Sequence, residues 1–381
     1  MPLKNDLEGL LVISVEQAVA APYCSMLLAE AGARVIKVER PEGDFARGYD
    51  SGANGLSTIF GWLNRGKESL TLNFCIEEDL KLLKSLIAKA DILLSNLAPG
   101  NLDKFGLNKD KIRSINPNLI NCYISGYGKN SNWKSKKAYD FLVQGEVGLC
   151  SVTGTEESPA RVGISIADIS TGLTAFSSIL RALIQRSKSQ NGIDLELSMF
   201  DVLAEWMNMP LLKYRYCGGA PQRSALSHSF VAPYGAFKTK DYKTILLSVQ
   251  NDREWSQFCK LILKDKKLIN DHKFIRNVDR YENKMELDQL ISRKFANLSA
   301  NYLELKLDTA KIAYASLNSM KDLSTHHLIN NKVIYFEGSK IDVVDLPLGT
   351  SENQVDKVPS LDQHGSLLRK EFGNVQELSN E

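Results

Sequence analysis

The sequence lacks an excess of charge of either sign: 47 basic side chains stand against 45 acidic ones in 381 residues, a net charge of +2. Such a chain has no global field to recruit a polyanion, and no local basic patch replaces one, which excludes nucleic acid as a partner. Long hydrophobic runs are missing as well. The opening segment MPLKNDLEGLLVISV holds about five consecutive apolar residues before Glu16, too few for a signal-peptide core or a membrane span. A cytoplasmic protein that does not enter a membrane is expected. The six cysteines (Cys24, Cys75, Cys122, Cys150, Cys217, Cys259) form no CxxC pair, so neither a zinc site nor a secreted disulfide framework is indicated, and they read as reduced and mostly buried.

Phosphate-binding and hydrolytic signatures are absent too. The first turn after a strand-like run reads SVEQAVAAP and contains no glycine, so the G-x-G-x-x-G cradle for a dinucleotide pyrophosphate is missing. No G-x-x-x-x-G-K-[ST], H-E-x-x-H, G-x-S-x-G or EF-hand pattern occurs. The five histidines show no ligand spacing with cysteines or carboxylates, and no metal site is expected.

What is present is a chain 43% hydrophobic, long enough for two or three domains. Over the first 125 residues, β-rich runs (LLVISV, ARVIKVE, DILLSN, NLINCYIS) alternate with helical segments near 22–31 and in EDLKLLKSLIAKA. This is the rhythm of a parallel sheet covered by helices, in Rossmann-type order. Apolar residues recur at helical spacing from Ala167 to about Gln185, SKSQNG ends that helix, and IDLELSM reads as a further strand. The small, polar stretch CGGAPQRSALSHS reads as a linker; YGAFKT and TILLSVQ then form a hairpin around KDYK, followed by helices to about 310. The expected fold is α/β: a large Rossmann-like domain (1–216), a linker (217–232), a smaller α+β domain (233–310), and a return linker with the C-terminal part of the large domain (311–381). The tail 360–381 reads as charged and weakly patterned.

Asp168, in GISIADISTGLTA, stands just before the long helix. An N-cap is one reading, because an Asp side chain accepts from the first free N–H groups. A nucleophile is the other: a helix N-terminus favours the ionised form, and Ser170, Thr171 and Gly172 would let a bulky ligand approach. Both can hold together. Pro99-Gly100 is either a plain turn or a ligand loop at the carboxyl edge of the sheet, with Lys104 one helical turn on. Arg40, Arg47, Arg65, Lys67, Lys136 and Lys137 are either solvated charges or, if several converge, a site for a ligand with several phosphates. Tyr139-Asp140 offers a phenol and a second carboxylate.

Taken in order, the blocks LVISVEQAVAAPYCSMLLAEAGARVIKVERPEGDFAR, NRGKESLTLNF, ADILLSNLAPGNLDKFG, ISGYG, AYDFLVQGEVG, ADISTG and GIDLELSMFD resemble the family III CoA-transferases of CaiB/BaiF type over essentially the whole chain. The resemblance implies an interlocked homodimer and no permanently bound cofactor, with a coenzyme A thioester and a small carboxylic acid as substrates. It places Asp168 on the catalytic aspartate. Val19, Ala20, Arg40, Leu72, Asn73, Asn96, Leu97, Ala98, Lys104, Lys137 and Tyr139 fall on positions lining the CoA site. It further implies an aspartyl mixed anhydride and an aspartyl-CoA thioester, with backbone N–H groups near the start of the 169–186 helix as candidate oxyanion donors.

The glycine-rich mobile loop of formyl-CoA transferases is absent, which argues against formate–oxalate exchange. The segment HSFVAPYGAF…LLSVQNDREW resembles the branch that uses itaconate, mesaconate, citramalate or malate with succinyl-CoA. Arg47 and His228 are the candidates for holding a second carboxylate. Two other readings stand beside this one: a 2-methylacyl-CoA racemase of the same fold, disfavoured because Tyr139 occupies the position of its histidine base, and a catalytically silent CoA-binding protein.

Overall fold

In the computed structural model, residues 5–128, 130–347 and 356–373 are described. Those within 1–149, 161–211 and 330–381 form one compact unit, and those within 150–160 and 212–329 form another.

The first unit is built on six strands: β1 (Leu11–Val15), β2 (Arg34–Glu39), β3 (Lys67–Thr71), β4 (Ile92–Ser95), β5 (Ile120–Ser125) and β6 (Ile193–Ser198). All pair in parallel, in the order β3-β2-β1-β4-β5-β6. Their apolar runs are short and nearly unbroken because helices cover both faces. Alternate residues divide between two cores: Val12, Val35 and Leu94 go to one, Ile13, Ile36 and Leu93 to the other.

The helices begin with α1 (Ala20–Glu30), α2 (Thr58–Asn64), α3 (Glu77–Lys89), α4 (Lys109–Ile115) and α5 (Asp140–Glu146). A single turn, α6 (Leu149–Val152), precedes the longest helix, α7 (Ile166–Ser189), and α8 (Met199–Trp206) follows β6. On one face α1 and α7 pack together against the sheet; on the other lie α3 and α4. The sheet order reverses direction at the β1/β4 boundary, and a crevice opens beyond the carboxyl ends of the strands at such a point.

The tail departs from its weak patterning. Residues 365–373 form a helix that buries Leu368 and Phe372 against the α3 side of the sheet. Two apolar residues one turn apart are enough once a neighbouring surface receives them, and no periodicity over so short a stretch announces that.

The second unit carries the expected hairpin, β7 (Tyr234–Lys238) with β8 (Thr244–Ser248), to which β9 (Ala313–Ser316) adds antiparallel. Its own core gathers Trp255, Phe258, Phe274 and Phe295.

Candidate active site

Asp168 is the third residue of α7, since that helix starts at Ile166 rather than at 169. It is not the cap. The N-cap residue, Ser165, makes no side-chain cap bond, and the capping acceptor comes from another helix: Asp140, the first residue of α5. Asp140 Oδ1 accepts from Ala167 N–H at 2.7 Å and from Asp168 N–H at 3.4 Å, while Oδ2 accepts from Gln144 Nε2 at 2.7 Å. Gln144 Oε1 in turn accepts from Val162 N–H at 2.9 Å, so an i,i+4 pair on α5 holds the chain that leads into α7.

Among the described residues no donor reaches the Asp168 carboxylate. Burial, reinforced by the charge of Asp140, pushes its pKa up from 3.8 to about 7. The helix N-terminus does not prevail because Asp140 already occupies its free N–H groups. The remaining first-turn donors are also committed: Ile166 N–H to the Ile164 carbonyl at 2.8 Å and Ile169 N–H to the Ser165 carbonyl at 2.9 Å. Backbone donors at this helix start are therefore not free to meet an oxyanion, contrary to the sequence-based expectation.

The small residues after Asp168 serve packing rather than ligand access. Ser170 and Thr171 are fully buried and donate to the Ala167 carbonyl. A Cβ on Gly172 would stand 2.5 Å from the Ala20 carbonyl oxygen and 3.1 Å from the Tyr23 ring. Glycine is what lets α7 approach the start of α1 this closely.

The glycine-free β1–α1 turn is held by side chains instead. Ala18 adopts φ +64°, and its N–H donates to Asp44 Oδ1 at 3.1 Å. Asn96, just beyond β4, accepts from Gln17 N–H at 2.9 Å and donates to the Gln17 carbonyl at 2.8 Å. Beneath the turn, Lys67 and Lys37 reach Glu16 at 2.8 and 3.4 Å, and Lys37 reaches Asp44 at 2.8 Å, all without solvent exposure. Burial alone would raise the Glu16 pKa; the two ammonium groups outweigh it and hold it at about 2.

A cavity of about 290 Å³ opens beyond the ends of β1 to β4, lined by Gln17, Arg40, Leu72, Asn73 and Leu97 among others. A larger one of about 520 Å³ is lined by Leu97, Ala98, Pro99 and Gly100 with residues of β5 and β6. The phenol of Tyr49, partly buried and under the charges of Asp44 and Asp168, has its pKa pushed up to about 12. Tyr139 is 58% exposed.

The sequence profile of CoA-transferase family III matches residues 7–365. The chain belongs to this family. It is 32% identical to an acetyl-CoA:oxalate CoA-transferase of Acetobacter aceti over 97% of this chain and 96% of that one. It is also 32% identical to a succinyl-CoA:glutarate CoA-transferase of Mus musculus, over 87% of this chain and 76% of the other. Among solved structures, a CaiB/BaiF family protein from Brucella suis superposes with a TM-score of 0.82 at 29% identity, covering 96% of this chain and 99% of its own.

The residues that the family resemblance singles out divide into groups. Arg40, Leu72, Asn73 and Leu97 share the smaller cavity; Leu97 and Ala98 line the larger. Val19 and Ala20 are buried at the start of α1, and the Asn96 amide is spent on the Gln17 backbone. Lys104 Nζ lies 3.3 Å from Asn101 Oδ1, and Lys137 is exposed shortly before Asp140.

Arg47 donates twice to Glu39, at 2.7 and 2.8 Å, and covers the Phe60 ring, so its guanidinium is already engaged. Arg65 and Lys67 are buried in ion pairs with Glu30 and Glu16, and Lys136 pairs with Glu146. These three do not converge on a phosphate cleft. His228 belongs to the second unit, where its ring stacks on Tyr234 at 4.9 Å. Three of the six cysteines, Cys24, Cys122 and Cys259, are buried; Cys75 lines the smaller cavity. Sequence reasoning missed Tyr49 and Gln144. The first stands two residues after the GDFAR block; the second stands four residues after Asp140, the spacing that pairs side chains on a helix.

Proposed function

We propose that this family III CoA-transferase moves coenzyme A from an acyl-CoA, with succinyl-CoA as donor, to a small dicarboxylic acid, and that Asp168 is the nucleophile. The observation that carries the reading is the Asp168 carboxylate itself. It is partly buried, without a donor, and raised to about 7, so that near neutrality it is both basic and substantially ionised.

An Asp168 oxygen attacks the thioester carbonyl, the C–S bond breaks, and CoA leaves as thiolate with a mixed anhydride on the enzyme. The thiolate attacks the aspartyl carbonyl, releasing the donor acid and leaving an aspartyl-CoA thioester. The acceptor carboxylate attacks that thioester and expels the thiolate, which then attacks the acceptor's acyl carbonyl. Acyl-CoA departs and the Asp168 carboxylate is regenerated. Every proton count is unchanged, so no general acid is needed. Tyr49, whose phenol lies under the charge of Asp168, stays protonated throughout the neutral range.

Oxalate and glutarate, in the names of the two relatives, are dicarboxylic acids like itaconate, mesaconate, citramalate and malate. That common class supports a dicarboxylate acceptor. Of the two candidate partners for its second carboxylate, Arg47 would have to release Glu39, whereas among the described residues no ion pair engages His228. The CoA-site positions carried over from the family are kept as proposed contacts. A homodimer is supported by the apolar side chains that the first unit leaves exposed: Phe141 and Leu142 on α5, Leu173 and Ile184 on α7, and Trp206 on α8. No helix among the described residues is long and apolar enough to cross a membrane, in keeping with a cytoplasmic enzyme.

The test is a mass-spectrometric exchange screen of succinyl-CoA against mono- and dicarboxylic acids. CoA transfer to a dicarboxylate is the expected result. Transfer to monocarboxylates alone would remove the acceptor class, and solvent deuterium at C2 of a 2-methylacyl-CoA without any acceptor would replace transfer by racemisation.

A further inference from the structure

We propose that Asp140 is a positioning residue for Asp168: its carboxylate caps the first turn of α7 from outside that helix, so that the Asp168 carboxylate projects without a partner beside a fixed like charge. The inference rests on the assignment of Asp168 as nucleophile and adds to it the group that keeps the nucleophile reactive.

Three features of the geometry carry it. First, the helix needs a cap and does not supply one, because Ser165 makes no side-chain cap bond and, among the described residues, the Asp168 side chain accepts none of the first-turn N–H groups. Second, both oxygens of Asp140 accept N–H donors, from Ala167, Asp168 and Gln144, which is the arrangement of a carboxylate. Third, the anchor is rigid. Asp140 is 8% exposed and Gln144 fully buried, and Gln144 is itself tied to Val162 N–H, so the acceptor cannot swing away.

Other ionisable groups around Asp168 do not replace it. Tyr49 and Tyr139 are phenols, and Tyr23 on α1 stands one turn along α7, against Gly172. On α8, Asp201 is engaged with Ser198. Asp140 is the one charged group among the described residues whose field is resolved at Asp168.

The consequence is chemical. A free Asp168 carboxylate is repelled by Asp140, whereas the acyl anhydride and the CoA thioester of Asp168 are neutral and are not. A fixed charge at this position therefore raises the resting enzyme relative to both covalent intermediates. It also raises the basicity of the attacking oxygen.

Asp140→Asn and Asp140→Ser both keep an acceptor at the cap and remove the charge. In either variant the midpoint of Asp168, followed by NMR of 13Cγ-labelled aspartate and assigned by comparison with Asp168→Asn, moves to lower pH by about one unit. The rising limb of kcat/KM for the acyl-CoA moves with it. Relative to the unmodified enzyme, activity of the variant then rises by about fivefold between pH 8.5 and pH 6, because a larger fraction of Asp168 is ionised at the lower pH.

Asp140→Glu, which restores the charge, returns the limb toward its original position. A cap that acted only structurally would lower activity by the same factor at every pH and leave the NMR midpoint where it was; that outcome overturns the proposal. The titration needs no turnover, so a midpoint that moves in a protein showing no CoA exchange would sink the functional reading while leaving the coupling intact.

Discussion

Replacing Asp168 by Asn is expected to abolish CoA exchange and at the same time to stabilise the protein, with a pH dependence that identifies the cause. In the folded chain the carboxyl titrates at about 7, against an ordinary value of 3.8. Below about pH 4 it is protonated in both folded and unfolded chains and contributes nothing. As pH rises, the unfolded chain releases its proton first, so the native state is progressively penalised, and the penalty is complete only above 7.

At about 1.4 kcal/mol per pH unit the ceiling is roughly 4 kcal/mol. Because the side chain is not fully enclosed, screening reduces this, and about 2 kcal/mol is the expected gain for Asp168→Asn at pH 8.5. The amide fits the same space, and no donor among the described residues loses a partner, since none of them reaches the carboxylate. Thermal denaturation at pH 3.5 and 8.5 reads the effect as a Tm about 2–4 °C above the unmodified protein at the higher pH, shrinking toward zero at the lower. A variant that is less stable at pH 8.5, or whose advantage does not change with pH, would refute the reasoning, because either result means that Asp168 is not held against its own ionisation.

Two further substitutions probe the scaffold beneath the site. Gly172→Ala places a methyl group 2.5 Å from the Ala20 carbonyl oxygen, so α1 and α7 must part. A loss of about 1–3 kcal/mol together with reduced exchange is expected, and unchanged Tm and kcat would show that the close approach is dispensable. Ala18→Gly relieves a left-handed backbone at φ +64°. About 0.5 kcal/mol of added stability should appear as a small rise in Tm, whereas a lower Tm would mean that the Asp44 and Asn96 contacts already absorb the strain.

Much of this protein was determined locally. Five of the six parallel strands, all but β3, and the long helix after Ala167 are runs of neighbouring residues whose apolar spacing states its own period, and the ordered blocks through ADISTG point to Asp168 and its family. The absence of glycine in SVEQAVAAP set the turn apart from a dinucleotide cradle. What that turn uses instead, Asp44 and Asn96, is a matter of contacts between residues 26 and 79 positions apart.

The partners of charged and polar groups were decided only by the tertiary structure. Arg65, Lys67 and Arg47 carry no mark in the sequence of whether they meet water, a ligand or a buried carboxylate; folding gives them Glu30, Glu16 and Glu39. Asp168 shows the limit most clearly. Its place before an apolar helix left capping and nucleophilic attack both open, and the cap fell to Asp140, 28 residues earlier in the chain, which leaves the Asp168 carboxylate without a donor among the described residues. Periodicity is a property of the chain, but the field at a carboxylate belongs to whatever the fold brings beside it.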